Sequence, residues 1–267
     1  GAKVNSSTPV HSLFPEYKPF ANWSETKSAM TVRDIMTMTS GLDCDDNKDD
    51  SPGNEGNMQS QTAQPDWYKY TLDLPMASQP GGDHAVYCSA DLNLVGGVVR
   101  NVTGRWLPEF FDQYFARPLQ IRNYQINLTP TEDAYMGGGI FLRPRDQLKL
   151  GQLYLSGGVW NRKRVVSREW VEESTARHST FDPNIKDEPV HDYGYGWHER
   201  RFIKVGDRIY RNYGAGGNGG QLVIVIPDLD MVVGINGGSY GDFRWYRWEL
   251  DLLPGYIVPS ALPQSAP

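Results

Sequence analysis

Two apolar runs of five residues, Leu222-Val223-Ile224-Val225-Ile226 and Met231-Val232-Val233-Gly234-Ile235, are separated only by Pro227-Asp228-Leu229-Asp230. Short apolar runs bounded by turn residues predict strands. A connector this short joins antiparallel neighbours, so the two form a hairpin. Tyr193-Gly194-Tyr195-Gly196-Trp197 and Arg208-Ile209-Tyr210 read as further strands, and Trp245 to Leu253 as a closing helix.

Before residue 193 the pattern is mainly helical. Thr31 is placed to cap a helix over Val32 to Met38, with Gly41 as its stop. Asp66 is placed to cap a helix through Tyr70 to Leu74. Leu92, Val95, Val98 and Val99 recur at helical spacing between Ala90 and Thr103, and Gly104 terminates them. Further helices are predicted over Leu107 to Phe115, from Arg143-Pro144-Arg145-Asp146 through Tyr154, and over Ser167 to Thr175. The polar stretch from Asp43 to Gln64 predicts an exposed loop. A helical lobe at 1–192, then antiparallel strands and a helix at 193–267, is an α+β pattern of two lobes in one interleaved domain.

Composition excludes several functions. Of 267 residues, 39% are hydrophobic and 22% charged, as in soluble globular proteins. The net charge is −6, with no basic stripe to meet phosphates, so a nucleic-acid partner is not expected. No apolar run approaches the roughly 18–20 residues that span a bilayer, and Gly1-Ala2-Lys3-Val4-Asn5 lacks the apolar centre of a signal peptide. The histidines at 11, 84, 178, 191 and 198 have no metal-ligand spacing. Asp43, Asp45 and Asn47 imitate the opening of a calcium loop, but Lys48 and Asn54 stand where its Gly and Glu belong, so a solvated acidic loop is expected. No metal or cofactor is implied, and no Gly-x-Ser-x-Gly elbow is present. Cys44 and Cys88 are either inert buried thiols or one disulfide.

Three elements carry the chemistry. They are Thr31-Val32-Arg33-Asp34-Ile35-Met36-Thr37-Met38-Thr39-Ser40-Gly41-Leu42, then Tyr87-Cys88-Ser89-Ala90 entering an apolar helix, and Gly214-Ala215-Gly216-Gly217-Asn218-Gly219-Gly220-Gln221 entering a strand. In this order they resemble serine hydrolases of the β-lactamase and penicillin-binding-protein type, including class C β-lactamases, esterases and 6-aminohexanoate-dimer hydrolases. The segments Gly137 to Asp146 and Gly151 to Gly158 are similar to that family's interlobe segment. The resemblance implies a β-lactamase/transpeptidase-like fold and hydrolysis of a small ester or amide through an acyl-enzyme. By resemblance, Tyr87 moves the proton between nucleophile and leaving group, and the Gln221 N–H donates to the oxyanion. Ser89, Asn218, Gly219 and Gly220 line the substrate cleft, the last three standing where the family has Lys-Thr-Gly or His-x-Gly. The glycines suit close backbone approach to a substrate. A phenol serving as a base needs a cation beside it, because a free Tyr has a pKa of about 10. The resemblance also implies a periplasmic or secreted protein, in which a Cys44–Cys88 bridge would persist.

The family's Ser-x-x-Lys belongs upstream of the Thr31 element, on a helix after N-terminal strands that residues 1–267 do not contain. Ser24-Glu25-Thr26-Lys27 has the string but starts only 7 residues before Thr31, and reads as a solvated loop. Activity is therefore expected only with a separate N-terminal segment that supplies the nucleophile. The alternative is a non-catalytic binding protein, or an inactive fragment, on the same fold.

Overall fold

The computed structural model describes residues 4–182, 190–242 and 246–262. In chain order its helices are α1 (Glu25–Ser28), α2 (Val32–Met36), α3 (Glu55–Ser60), α4 (Trp67–Asp73), α5 (Ser89–Thr103), α6 (Leu107–Phe111), α7 (Pro144–Leu155), α8 (Arg168–Thr175), α9 (Tyr246–Leu252) and α10 (Val258–Ala261). The strands are β1 (Tyr124–Ile126), β2 (Ile140–Leu142), β3 (Val159–Trp160), β4 (Lys163–Arg164), β5 (Ser179–Phe181), β6 (His191–Tyr193), β7 (His198–Val205), β8 (Arg208–Gly217), β9 (Gln221–Ile226) and β10 (Met231–Ile235). Two compact units share the chain: Gly1–Phe141 with His178–Asn184, and Leu142–Arg177 with Ile185–Pro267. Thus α7 and α8 fold with the later strands, whereas the sequence pattern groups everything up to residue 192 together.

In the first unit α5 is the central helix, with α2 and α4 packed on it. Its Gly97 lets the Phe14 and Tyr68 rings approach closely. The helix N-caps follow the sequence, but α2 ends at Met36, with Met38 at φ 59°, before the expected stop at Gly41. Thr31 and Asp34 form a reciprocal capping box on α2. The Asp66 carboxylate accepts from the Tyr68 and Lys69 N–H groups of α4, and Gly104, with φ 65°, ends α5. Two further expectations are corrected. The 43–64 segment is not all loop, because Asn54 caps α3 within it. The helix after Leu107 tightens only to Phe111 and then widens into a π turn over Asp112–Ala116.

In the second unit β9 pairs antiparallel with β10 on one side and β8 on the other, and β7 and β6 follow outward. The run Leu222–Ile226 is apolar throughout because β9 is covered on both faces. Leu222, Ile224 and Ile226 join Ile203, Tyr210, Leu253 and Val258 in one core. Val223 and Val225 face α7, where Gly151 brings the helix onto the sheet. The hairpin is antiparallel as expected, with Met231 opposite Ile226.

Residues 194–197 are not a strand as expected. They form the β6–β7 turn, closed by the Gly194 N–H on the Trp197 carbonyl at 2.7 Å. Strand β7 escapes sequence analysis because a bulge between Arg200 and Ile203 breaks its two-residue alternation. The closing helix continues beyond Leu253 through a π turn over Leu253–Ile257 into α10. Its expected first residue, Trp245, lies outside the described residues.

The α7–sheet contact gives a direct test of this packing. A Cβ on Gly151 would lie 2.5 Å from Val232 Cγ1 and 3.0 Å from Val223 Cγ1. Gly151→Val is expected to lower stability by about 1–3 kcal/mol through overpacking, measured by urea unfolding.

Candidate active site

The expected site residues fall in both units: Tyr87 and Ser89 in the first, Asn218 to Gln221 in the second. Each group is built by its own unit.

Tyr87 is half-buried immediately before α5. The residue that begins the helix, Cys88, provides no side-chain cap. Its sulfur is instead bonded to Cys44, with the two Cα atoms 5.5 Å apart, which resolves the cysteine question in favour of the bridge. Asp46 supplies the missing cap from a distant loop. Its Oδ2 accepts from the Ser89 N–H at 2.7 Å, and its own N–H donates to the Tyr87 carbonyl at 2.9 Å. A carboxylate at a helix N-terminus satisfies an orphan N–H and complements the helix dipole.

Beyond the backbone, the buried Ser89 hydroxyl interacts with the phenols of both Tyr87 and Tyr135. The Tyr135 hydroxyl donates to Glu55 Oε1 in a short hydrogen bond. Burial pushes the Glu55 carboxyl up, against the opposing effect of that bond. Burial first, then the Asp46 and Glu55 carboxylates, push the Tyr87 phenol up to about 12. Within this unit the charges that act on Tyr87 are anionic, opposite to the cation that a base would need. Tyr135, Glu55 and Asp46 were not found from the sequence. Asp46 and Glu55 lie in a stretch that reads as solvated, and Tyr135 has no periodic context.

Asp91, on the first turn of α5, is fully buried. Neither carboxyl oxygen makes a hydrogen bond of ordinary geometry, and the Ser40 hydroxyl is the polar side chain that acts on it. Burial pushes the Asp91 pKa well above the carboxylate range, against the lowering effect of the Ser40 hydroxyl, and Asp46 and Asp34 add to the rise.

The Ser24–Lys27 string has a structural role and is not a solvated loop. Ser24 caps α1 by accepting the Lys27 N–H at 3.0 Å. The Lys27 side chain is buried, and its ammonium donates to the carbonyls of Ala21, Leu72 and Leu74 at 3.0, 3.0 and 2.5 Å. It ties the N-terminal segment to the end of α4. Burial pulls its pKa down to about 8.

In the second unit Asn218, Gly219 and Gly220 form the β8–β9 turn, with Gly217 opposite Gln221. Gly219 and Gly220 have φ of 85° and 87°, in the left-handed region. A Cβ on Gly220 would meet the Trp248 ring at 2.4 Å, and one on Gly219 the Tyr240 ring at 2.8 Å. The glycines are thus required by the turn and by the unit's own aromatics. Asn218 is exposed, and its Oδ1 accepts from the Gly241 N–H at 3.2 Å. The Gln221 side chain points into a polar network, donating to the Gly237 carbonyl at 2.6 Å and accepting from Asn236 Nδ2 at 3.1 Å.

Among the described residues no group of His, Cys, Asp and Glu is arranged to hold a metal ion, and no helix is long and apolar enough to cross a membrane. Asp45 of the acidic loop is paired with Lys48 at 2.9 Å.

A helical unit carrying a Tyr-x-Ser element and an α-backed antiparallel sheet entered by a Gly-rich turn define a β-lactamase-like protein. Residues 2–249 match the Beta-lactamase family. The chain belongs to the Beta-lactamase family. It is 34% identical over 91 residues to 6-aminohexanoate-dimer hydrolase of Paenarthrobacter ureafaciens, a stretch covering 34% of this chain and 23% of that protein. A solved Bacillus anthracis protein, provisionally named 6-aminohexanoate-dimer hydrolase, superposes with a TM-score of 0.72 at 16% identity, over 98% of this chain and 68% of that one. EstCE1, described as a hydrolase with promiscuous acyltransferase activity, superposes with a TM-score of 0.71 at 16% identity, over 95% of this chain and 79% of that one.

Asp91 generates a pH-dependent expectation. Its folded pKa lies above the unfolded value, so above about pH 4 the folded state holds a proton that the unfolded chain has released. This contribution is fully present below the unfolded pKa and is lost as pH rises toward the folded pKa, by up to about 1.4 kcal/mol per pH unit. Asp91→Asn is expected to gain stability over the parent chain between pH 4 and 8 and to match it at lower pH, followed by urea unfolding. A pH-independent difference would contradict the burial argument.

Proposed function

We propose that this chain supplies the proton-transfer and oxyanion elements of a serine hydrolase that cleaves a small ester or amide through an acyl-enzyme. The observation that carries the reading is Tyr87, fixed just ahead of α5 by the Asp46 N–H on its carbonyl, in a chain of the beta-lactamase family. A positioned neutral phenol can protonate a departing alkoxide or amine, and a positioned proton transfer contributes about 10²–10⁴ in rate. The nucleophile comes from a Ser-x-x-Lys outside residues 1–267. Its Lys is the cation that would pull the Tyr87 proton equilibrium back toward use as a base.

The Gln221 N–H is assigned as an oxyanion donor. Its strand leaves the Gly219–Gly220 turn, and its side chain is anchored to Gly237. Asn218, exposed at the same turn, and Ser89, against the two phenols, are assigned to substrate contacts. An amide substrate is favoured by the identity to an enzyme named for hydrolysing an aminohexanoate dimer. An ester remains within the same acyl-transfer chemistry.

Export to the periplasm or outside the cell is supported by the Cys44–Cys88 bridge, since disulfides persist in oxidising compartments.

Two measurements test the proposal. In the protein extended by its Ser-x-x-Lys segment, Tyr87→Phe is expected to lower kcat on a chromogenic ester or anilide by about 10²–10⁴. Unchanged turnover would remove Tyr87 from the mechanism. For the export assignment, protein isolated from its native host under non-reducing alkylation is expected to carry no thiol adduct. Two adducts would place it in a reducing compartment.

A further inference from the structure

We infer that Asp46 is a positioning residue for Tyr87, and that the Cys44–Cys88 bridge is the tether that keeps it in place. The inference deepens the hydrolase reading above and rests on it for its catalytic consequence. Its geometric part stands alone.

Helix α5 starts with a residue that cannot cap it. Cys88 occupies the N-cap position without a side-chain hydrogen bond, where Ser, Thr, Asp or Asn would satisfy an early N–H. Asp46 takes over that task from the loop preceding α3. Its carboxylate divides between two backbone groups, with Oδ2 on the Ser89 N–H at 2.7 Å and Oδ1 on the Glu55 N–H at 2.8 Å. Its N–H closes a third contact to the Tyr87 carbonyl at 2.9 Å. Tyr87 is thereby gripped by one residue through its own carbonyl and through the N–H two positions on.

The same carboxylate locates Glu55, which accepts from the Tyr135 phenol. One side chain therefore sets the backbone of Tyr87, the start of α5 and the acceptor of the neighbouring phenol. Two residues before Asp46, the disulfide joins the loop to the residue next to Tyr87. A covalent link there restricts how far Asp46 can move from the helix end.

Hydrogen exchange of the Ser89 amide, read by NMR on the 267-residue chain, tests the clamp without any need for turnover. Asp46→Ala is expected to speed Ser89 exchange at least tenfold while Leu94, in the middle of α5, keeps its protection. Asp46→Asn retains one acceptor oxygen and should give a smaller effect. The double variant Cys44→Ala with Cys88→Ala, which adds no capping side chain, should also speed Ser89 exchange, and it carries the test if Asp46→Ala does not fold. Unchanged Ser89 exchange in the Asp46 variants would overturn the inference.

In the active, extended protein, Asp46→Asn is expected to lower kcat at least tenfold with KM within twofold. It should also move the alkaline limb of the kcat profile to lower pH, a displacement that loss of stability alone would not produce. If Tyr87→Phe abolishes turnover while Asp46→Asn leaves kcat and the profile unchanged, the positioning role fails and the hydrolase reading survives. If Tyr87→Phe is harmless while Ser89 exchange responds as expected, the hydrolase reading fails and the clamp stands.

Discussion

The first turn of a helix presents N–H groups with no partner inside the helix, and in a buried position each must find an acceptor. At the head of α5 that requirement is met from outside, by the Asp46 carboxylate on the Ser89 N–H. Much of the first unit follows from this contact. It fixes the direction in which α5 enters the core, where Ala90 and Leu94 are fully buried. It also places Tyr87 at the end of the helix instead of in a free loop. The acidic segment that bears Asp46 is an internal brace, with its Tyr70 contact through the Pro52 carbonyl at 2.6 Å adding a tie to α4.

The second unit solves a different problem. A strand buried on both faces must be apolar throughout, yet the turn that feeds it has to pass beside two large aromatics. The Gly219–Gly220 pair meets both demands. Positive φ turns the chain sharply into β9, and the absence of Cβ atoms lets Trp248 and Tyr240 close over it. The carbonyls of Gly219 and Gly220 accept from the Ser239 and Gly237 N–H groups at 3.2 and 3.1 Å. The turn is thus held by backbone contacts of its own unit, which is the preorganisation that the proposed oxyanion role of the Gln221 N–H needs.

What the sequence discloses and what it hides follow from the range of the interactions. The hairpin, the Thr31 and Asp66 caps and the span of α5 depend on neighbours within a few residues, and their signals are legible. Tyr87 and the Gly-rich turn stand as candidates through the resemblance, which the family match supports. Asp46, Glu55 and Tyr135 are not, because their roles depend on partners 43 and 80 residues away in the chain. Polar composition suggested solvent, whereas the loop turns inward to satisfy backbone groups. Strand β7 was hidden by its bulge. Ser24-Glu25-Thr26-Lys27 shows the opposite hazard, since a string that matches a catalytic pattern serves instead as a helix cap and a buried tie between segments.

The central proposal is that residues 1–267 supply a proton-transfer group, Tyr87 of one unit, and an oxyanion donor, the Gln221 N–H of the other, while the nucleophile lies outside them. Fluorophosphonate labelling, followed by intact mass and peptide mapping, tests it most directly. The 267-residue chain is expected to take up no label, and the extended protein to take up one, mapped to the serine of its Ser-x-x-Lys. Label on Ser24, or on any other serine within residues 1–267, would contradict the account.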